Sequence, residues 1–157
     1  MGEPQSWRAA TDWLREEIYM NEISRKQIGR IGLTMAINYF TIKGYTISLP
    51  INDTQWYDLI IEKDGIFETV QCKATQTSDG TIDFRSTGGT KGVEYDNLKN
   101  HSELDWLFCV DKDLNMWLFP VKELNNNRQI TLRTEPTKNN QGFQTYKFQV
   151  QSLDVAP

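Results

Sequence analysis

The chain has 157 residues, a formal net charge of −4 and 38% hydrophobic residues, values typical of one domain that buries its own core. The negative charge argues against nucleic-acid binding by overall electrostatic attraction, but it leaves room for a local basic groove. No apolar run approaches the length of a membrane span, and the first residues lack the basic and apolar regions of a signal peptide. We therefore expect a soluble, cytoplasmic protein.

The two cysteines, Cys72 and Cys109, lie within apolar, strand-like runs. Neither has a second cysteine or a histidine at the spacing of a metal site. We interpret both as reduced thiols of the core, which fits an intracellular protein.

Two helices are predicted at the start of the chain. Residues 1–23 form an N-terminal helical extension, because apolar residues recur there at helical spacing. Ser24 and Gln27 have the spacing of a capping box that begins a longer helix, and Gly44 is a stop signal for it. The apolar residues of this longer helix cover more than one stripe, so we expect it to pack against a sheet.

Strands dominate the rest of the chain. Asp64-Gly65 is a strong signal for a hairpin turn between two apolar runs. The order of helix, strands, helix and strands predicts a single α/β domain, with a mixed β-sheet flanked by helices, a core at 24–124 and C-terminal strands at 125–157. The predicted strands are 45–49, 57–62, 66–74, 81–85, 106–111, 115–120, 129–133 and 143–150, with a loop at 75–92, a short helix at 95–101 and a helical turn at 121–126.

Asp58, Gln71, Cys72 and Lys73 are the candidate functional residues, because they lie at the ends of the two runs that the hairpin turn joins. Side chains alternate along a strand, so Gln71 and Lys73 share a face and Cys72 points to the other. Phosphodiester hydrolysis needs a hard cation on the phosphoryl oxygen and a positive group against the developing charge. The set therefore suits a metal-dependent phosphodiesterase.

Each of these residues has an expected role. Asp58 can ligate Mg²⁺ directly, and the side-chain carbonyl of Gln71 and the main-chain carbonyl of Cys72 can complete the protein ligands, since Mg²⁺ keeps several waters. Mn²⁺ is an expected substitute. Lys73 can orient the attacking water or contact the scissile phosphate. The alternative without a function is that these polar residues are solvated side chains at a strand edge, because a pattern this short also arises by chance.

The surrounding residues resemble the PD-(D/E)xK nuclease superfamily. Within it the chain is similar to the small group I intron-encoded homing endonucleases, which often have Gln in place of the acidic residue before x-Lys. The resemblance covers roughly residues 26–124. It rests on Gly29-Arg30-Ile31-Gly32, Lys43-Gly44-Tyr45, Tyr57-Asp58, Val70-Gln71-Cys72-Lys73-Ala74, Asp105-Trp106 and Trp117-Leu118-Phe119-Pro120.

The resemblance implies a restriction-endonuclease-like core with the site on the central hairpin. It further implies a Mg²⁺-dependent endonuclease that cuts double-stranded DNA at a specific site. One such site cuts one strand, so we expect a homodimer or homotetramer on a palindromic or near-palindromic target.

Leu33 departs from the pattern of this superfamily. Many relatives carry a metal-binding Glu on the helix, four residues after the first Gly, and here that position is Leu33. Three explanations stay open. In the first, a DNA phosphate supplies the missing negative charge. In the second, another acid such as Glu62 or Glu68 takes the position of the missing ligand, and Glu62 is favoured because it has the same strand parity as Asp58. In the third, the chain is impaired in cleavage.

Two alternative functions share the same fold. A Holliday-junction resolvase would use the same core and recognise the shape of its substrate, and competition between a four-way junction and a linear duplex would identify it. A catalytically degenerate DNA-binding protein is the second alternative, and Leu33 is the observation behind it.

Overall fold

The computed structural model describes residues 24–52, 54–84, 103–124 and 129–151. The predicted N-terminal helix at 1–23 and the predicted short helix at 95–101 lie outside these residues. Among the residues described, no helix combines the length and the apolar character that crossing a membrane requires.

The long helix, α1, spans Arg25–Ile42 and begins and ends as predicted. The Ser24 hydroxyl accepts the main-chain N–H of Gln27, and the Gln27 side chain accepts the N–H of Ser24, which completes the capping box and stabilises the helix by about 1 kcal/mol. Gly44 follows the last turn with a positive φ of 80°, a conformation that costs glycine little.

Six strands form the main sheet, and all neighbours are antiparallel except β3 and β5. Their order is β1-β2-β3-β5-β6-β8, and β4 pairs with β7 in a separate two-stranded ribbon. The strands are β1 (Thr46–Ser48), β2 (Leu59–Lys63), β3 (Ile66–Ala74), β4 (Thr81–Asp83), β5 (Trp106–Val110), β6 (Met116–Pro120), β7 (Gln129–Thr131) and β8 (Gln149–Val150).

The main sheet carries a hydrophobic core on each face. The helix-side core lies between α1 and the sheet, where the Phe40 ring packs against Tyr45 and Phe108. The ribbon-side core lies between the sheet and the β4–β7 ribbon and is built around Trp117 and Phe119, both fully buried. Fully burying a side chain such as Leu or Phe contributes about 1.5–3 kcal/mol, so the two cores fix β3 and β5 in the centre of the fold.

The hairpin of β2 and β3 has the predicted turn. Asp64 and Gly65 both have positive φ values, 53° and 78°, which is the backbone of a type I′ turn. Lys63 precedes the turn, and its ammonium donates to the main-chain carbonyl of Lys43 at 2.9 Å. Lys63 therefore binds the C-terminal end of α1, where the helix dipole favours a cation.

The C-terminal part of the chain differs from its prediction. The run 143–150 is not one strand, because Thr145–Phe148 form a 3₁₀ helix and strand pairing is confined to Gln149–Val150. The Thr145 hydroxyl donates to the carbonyl of Thr131 and accepts the N–H of Arg133. These bonds tie the segment to the end of β7, while Phe143 and Phe148 pack on Phe119.

Gly29 and Gly32 lie one turn apart on α1 but in opposite surroundings. A Cβ at Gly32 would lie 3.3 Å from the Ala74 Cβ and 3.4 Å from the Lys73 carbonyl carbon, whereas a Cβ at Gly29 would meet nothing within 4 Å. Gly32 thus lets the helix approach the end of β3.

Gly32→Val should destabilise the protein by about 1–3 kcal/mol, because the branched side chain must push α1 away from β3. Gly29→Val is the matched control and should be neutral or slightly stabilising, since valine has the higher helix propensity. Urea denaturation of both variants measures the difference. Equal losses at the two positions would contradict the close contact at Gly32.

Candidate active site

A gap in the main sheet, which we call the notch, lies beside the last residues of β3. Strand β2 begins at Leu59, which pairs with Val70, whereas β3 continues to Ala74 and stays paired with β5 throughout. Residues 71–74 therefore have a strand on one side and the notch on the other. Main-chain groups that face the notch need partners from elsewhere.

Asp58 supplies one such partner. Its own N–H donates to the Val70 carbonyl at 2.9 Å, and its carboxylate Oδ2 accepts the N–H of Cys72 at 2.7 Å. If the register in which Leu59 pairs with Val70 continued, that N–H would face the main chain of Tyr57, the residue before Asp58. The carboxylate takes the place of that main-chain partner, so the ladder itself holds Asp58 at the notch.

The main-chain carbonyl of Cys72 also faces the notch. The N–H and C=O of one strand residue point to the same side of the strand, and the N–H of Cys72 is directed to Asp58. The Gln71 Nε2 lies 3.4 Å from this carbonyl, a long contact for a hydrogen bond. The Cys72 carbonyl therefore lies on the same side of β3 as the Asp58 carboxylate.

Gln71 completes the group. Its Nε2 donates to Asp58 Oδ2 at 2.6 Å, so the two side chains are in direct contact across the start of the hairpin. Holding a cation with the Gln71 oxygen requires the carboxamide to rotate and exchange its two ends. The present orientation neutralises part of the Asp58 charge by hydrogen bonding.

Lys73 lies beside this group. It shares a face with Gln71, since their cross-strand partners Cys109 and Leu107 both belong to the ribbon-side core, and two strand residues span about 6.6 Å. Burial raises the pKa of Asp58, while the hydrogen bond from Cys72 and the positive charge of Lys73 lower it. Lys73 is thus close enough to favour the ionised carboxylate.

Leu33 packs on the helix side of the sheet. Helix α1 runs antiparallel to β3, because Gly32 contacts Ala74 and the helix end bonds to Lys63. Leu33 follows Gly32 directly and is partly buried against the helix-side core. Position 33 therefore gives an apolar side chain to this core and has no side-chain oxygen for a cation.

The two acids considered as substitutes lie in other places. Glu62 is four residues from Asp58, about 13 Å along the strand, and its carboxylate accepts the N–H of Gly65 in the hairpin turn at 2.8 Å. Glu68 pairs with Ile61, a residue of the helix-side core. The structure therefore does not favour Glu62 or Glu68 as ligands at the notch.

Within the part of the chain that the structure describes, Asp58 is the carboxylate that contacts Gln71 and Cys72. The described residues contain no cluster of three or more His, Cys, Asp or Glu side chains that could hold a metal ion. Oxygen atoms still converge there, from Asp58, the Gln71 carboxamide and the Cys72 main chain. Such oxygens suit a hard cation that retains water ligands.

The thiols beside the site are chemically inactive. Burial raises the pKa of the Cys72 thiol well above its usual value, and the charge of Asp58 raises it further. Burial also raises the pKa of Cys109, although Lys73 opposes this shift. Both thiols stay protonated at neutral pH, so neither is a nucleophile or a thiolate ligand.

One contact at the site could not be predicted from the residue pattern. The sequence predicts the carbonyl of Cys72 as a ligand, but the role of its N–H, which positions Asp58, depends on where β2 ends. Trp56 is partly buried against the ribbon-side core. The one sequence signal for the contact between Asp58 and Cys72 was the position of Asp58 directly before an apolar run.

Comparison with known proteins identifies the family and a solved structure with the same fold. The profile of the PD-(D/E)XK endonuclease family matches residues 23–150. A solved structure of a bacterial homing endonuclease, I-Ssp6803I, has the same fold, with a TM-score of 0.59 and 21% sequence identity over 80% of this chain and 87% of that chain. A comparison with the sequences of curated proteins gives no match.

Asp58→Asn should stabilise the protein at neutral pH. The raised pKa of Asp58 means that the folded chain holds the proton more tightly than the unfolded chain. Ionisation therefore costs stability as pH rises from the ordinary Asp pKa, about 4, through the raised value. Asn keeps an acceptor for the Cys72 N–H without the charge, so we expect a gain on the order of 1 kcal/mol at pH 7.

Urea denaturation in EDTA, repeated between pH 7 and pH 4, measures this effect. The gain should shrink as the solution is acidified, because the wild-type carboxylate then becomes neutral as well. The exposed Asp113 gives the control substitution, Asp113→Asn. A gain that grows on acidification would contradict the buried, charged state of Asp58.

Proposed function

The chain belongs to the PD-(D/E)XK endonuclease family, and on this premise we propose that it is a Mg²⁺-dependent endonuclease that cuts double-stranded DNA at a specific site. The observation that carries the proposal is the convergence of Asp58 Oδ2, the Gln71 carboxamide and the Cys72 main chain within hydrogen-bond reach of one another. Lys73 stands beside them on the same strand.

The donor set fits a divalent cation of the Mg²⁺ or Mn²⁺ type. Asp58 and the carbonyl groups of Gln71 and Cys72 are oxygen donors, and Mg²⁺ binds few protein oxygens while keeping water ligands. A bound cation of this type would polarise the phosphoryl oxygen and lower the pKa of a water molecule. The residues around the notch supply the rest of the chemistry.

The reaction is the attack of water on the phosphorus of a DNA linkage. The water oxygen forms a bond to phosphorus, the bond to the leaving deoxyribose oxygen breaks, and that oxygen takes up a proton. Lys73 can hold the attacking water or the phosphate by a charge-assisted hydrogen bond. Its positive charge also offsets the negative charge that develops on the phosphoryl oxygens.

A local basic surface supports DNA as the substrate in spite of the net negative charge. Helix α1 begins near the notch, where its first two turns carry three exposed cations, Arg25, Lys26 and Arg30. Its first turn contains no acidic residue, although acids are favoured at a helix N-terminus. A DNA phosphate close to this end would meet both the cations and the positive end of the helix dipole.

We propose the site-specific, homing-type activity and the oligomeric assembly by analogy with a protein of the same fold. I-Ssp6803I, a homing endonuclease, shares the fold over most of both chains. A single site such as the notch cuts one strand, so a double-strand break requires two copies of the chain. We propose a homodimer, or a tetramer of paired dimers, with two-fold symmetry on DNA.

Asp58→Ala and Lys73→Ala should each lower Mg²⁺-dependent cleavage by at least about 100-fold, the scale for losing one group that stabilises the transition state. Conversion of supercoiled plasmids that contain the target to linear DNA, with and without EDTA, measures the activity. Target sequences are obtained by selecting cleaved molecules from a random library.

Two control variants accompany this assay. Glu62→Gln should leave cleavage unchanged, because Gln retains an acceptor for the Gly65 N–H and Glu62 lies away from the notch. Lys112→Ala removes an exposed ammonium that pairs with Asp113 and should also be neutral. Undiminished cleavage by Asp58→Ala or by Lys73→Ala would contradict the site.

A DNA-binding protein without cleavage activity is the second candidate, and Leu33, where many relatives carry a Glu, favours it. Such a protein would bind duplex DNA and leave it intact at any Mg²⁺ concentration. Robust cleavage by the unmodified chain would exclude it. Cleavage that appears only in Leu33→Glu would support it.

A further inference from the structure

We propose that the loop at residues 137–142, which we call the amide loop, reads bases of the DNA away from the scissile linkage. The carboxamides of Asn139 and Asn140 contact base edges, with a preference for adenine, and the ammonium of Lys138 contacts a backbone phosphate. This inference rests on the DNA substrate of the proposed function and adds a determinant of its sequence specificity.

The side chain of Gln144 holds the amide loop in one conformation. Its Nε2 donates to the hydroxyl of Thr137 at 2.8 Å and to the carbonyls of Gln141 at 3.0 Å and Gly142 at 3.3 Å. The Thr137 hydroxyl donates in turn to the Gln141 carbonyl at 2.8 Å. One partly buried amide therefore joins the two ends of the loop. A loop that is ordered in advance loses little conformational freedom when it binds a partner.

The backbone of the amide loop places two side chains where glycine is favoured. Asn139 has φ 64° and ψ 17°, and Asn140 has φ 51°, so two consecutive residues lie in the left-handed region. Glycine adopts this region freely, whereas asparagine adopts it at a cost and normally as a single residue. Such a backbone fixes the directions in which the two carboxamides leave the loop.

The chemistry of the amide loop suits nucleic acid. Residues 138–142 are all exposed, and Lys138 is their one charged residue. Arg133 and Glu135, both exposed, precede the loop and balance each other in charge. A carboxamide offers a donor and an acceptor together, which match N7 and the N6 amino group of adenine in the major groove. A lysine ammonium pairs with phosphate, so the loop combines base-reading groups with a cation for the backbone.

The stem of the amide loop lies at the end of the fold that carries the notch. Strand β7 ends at Thr131, and the next N–H, of Leu132, donates to the Gly80 carbonyl at 2.9 Å. Gly80 belongs to the turn that follows β3, whose last residues border the notch. The β4–β7 ribbon also covers the sheet face to which Gln71 and Lys73 belong. A duplex with a phosphate in the notch therefore lies on the same side of the sheet as the amide loop.

Selection of bound duplexes tests this assignment with a readout that needs no turnover. The full chain is mixed with a library of random duplexes in EDTA, the bound fraction is separated on a native gel, and its sequences are determined. Asn139→Gly and Asn140→Gly are the test variants, because glycine keeps the left-handed backbone and removes the carboxamide. Leu114→Gly is the matched control, since Leu114 is also exposed and has a φ of 64° but lies in another turn.

We expect the wild-type chain to prefer an A·T pair at one or more positions by at least about fivefold, the lower end of the range for a bidentate contact between an amide and adenine. Asn139→Gly or Asn140→Gly should abolish this preference and leave the rest of the selected sequence unchanged. Leu114→Gly should keep all the wild-type preferences. Unchanged preferences in both asparagine variants would overturn the inference, as would a wild-type chain that enriches no sequence.

Two further variants separate the parts of the amide loop. Lys138→Ala should weaken binding to every selected duplex alike and lower the slope of log Kd against log salt concentration by about 1. Gln144→Ala should remove the same A·T preference although both asparagines are present, because the loop is no longer held. An unchanged salt dependence in Lys138→Ala would contradict the phosphate contact. Full preference in Gln144→Ala would contradict the role of the ordered loop.

These outcomes distinguish the inference from the proposed function. If the wild-type chain selects a sequence but cleaves it at no Mg²⁺ concentration, the proposed function fails, and the comparison of variants still decides the role of the amide loop. If both asparagine variants keep every preference while the wild-type chain cleaves, the inference is wrong and the proposed function stands.

Discussion

The hydrogen bond from the Cys72 N–H to Asp58 Oδ2 is the interaction on which the site depends. Strand β3 extends beyond its pairing with β2, so the N–H of Cys72 would otherwise lack a partner on the side of the notch. A buried N–H without an acceptor costs about 1–3 kcal/mol. The same hydrogen bond therefore pairs the Cys72 N–H and positions the Asp58 carboxylate. The hairpin thus places Asp58 before any metal or DNA binds.

The surroundings of Asp58 balance two demands. Burial raises the pKa of its carboxyl group, whereas the Cys72 N–H and the charge of Lys73 lower it. A metal ligand must be ionised, and a partly dry site strengthens its attraction for a cation. The Cys72 N–H that holds Asp58 therefore also favours its charged form, and the charge of Lys73 acts in the same direction.

Most of the fold could be predicted from local signals. The capping box of Ser24 and Gln27, the Asp64-Gly65 turn and the strand 66–74 act through neighbouring residues, and the structure confirms all three. Residues 143–150 do not form one strand, because Thr145–Phe148 form a 3₁₀ helix and Phe143 and Phe148 pack against the ribbon-side core. Alternation of polar and apolar residues does not distinguish these two forms over so few residues.

The sequence predicted which side chains share a face but not the hydrogen bonds that they form. Strand alternation correctly placed Gln71 and Lys73 on one face. The hydrogen bond of Glu62 was not predictable. Strand parity puts Glu62 on the same face as Asp58, but it does not show that the Glu62 carboxylate accepts the N–H of Gly65 in the hairpin turn. The distance between the two acids, about 13 Å, follows from their four-residue separation along the strand.

The central claim is that Asp58, Gln71 and the Cys72 carbonyl form one metal-binding site. Anomalous diffraction from a crystal of the chain grown with duplex DNA and Mn²⁺ tests it most directly. We predict a single strong peak in the notch, about 2.0–2.3 Å from an Asp58 oxygen, the rotated Gln71 oxygen and the Cys72 carbonyl. A peak at other residues, or a Gln71 nitrogen still bonded to Asp58 beside a bound Mn²⁺, would contradict the account.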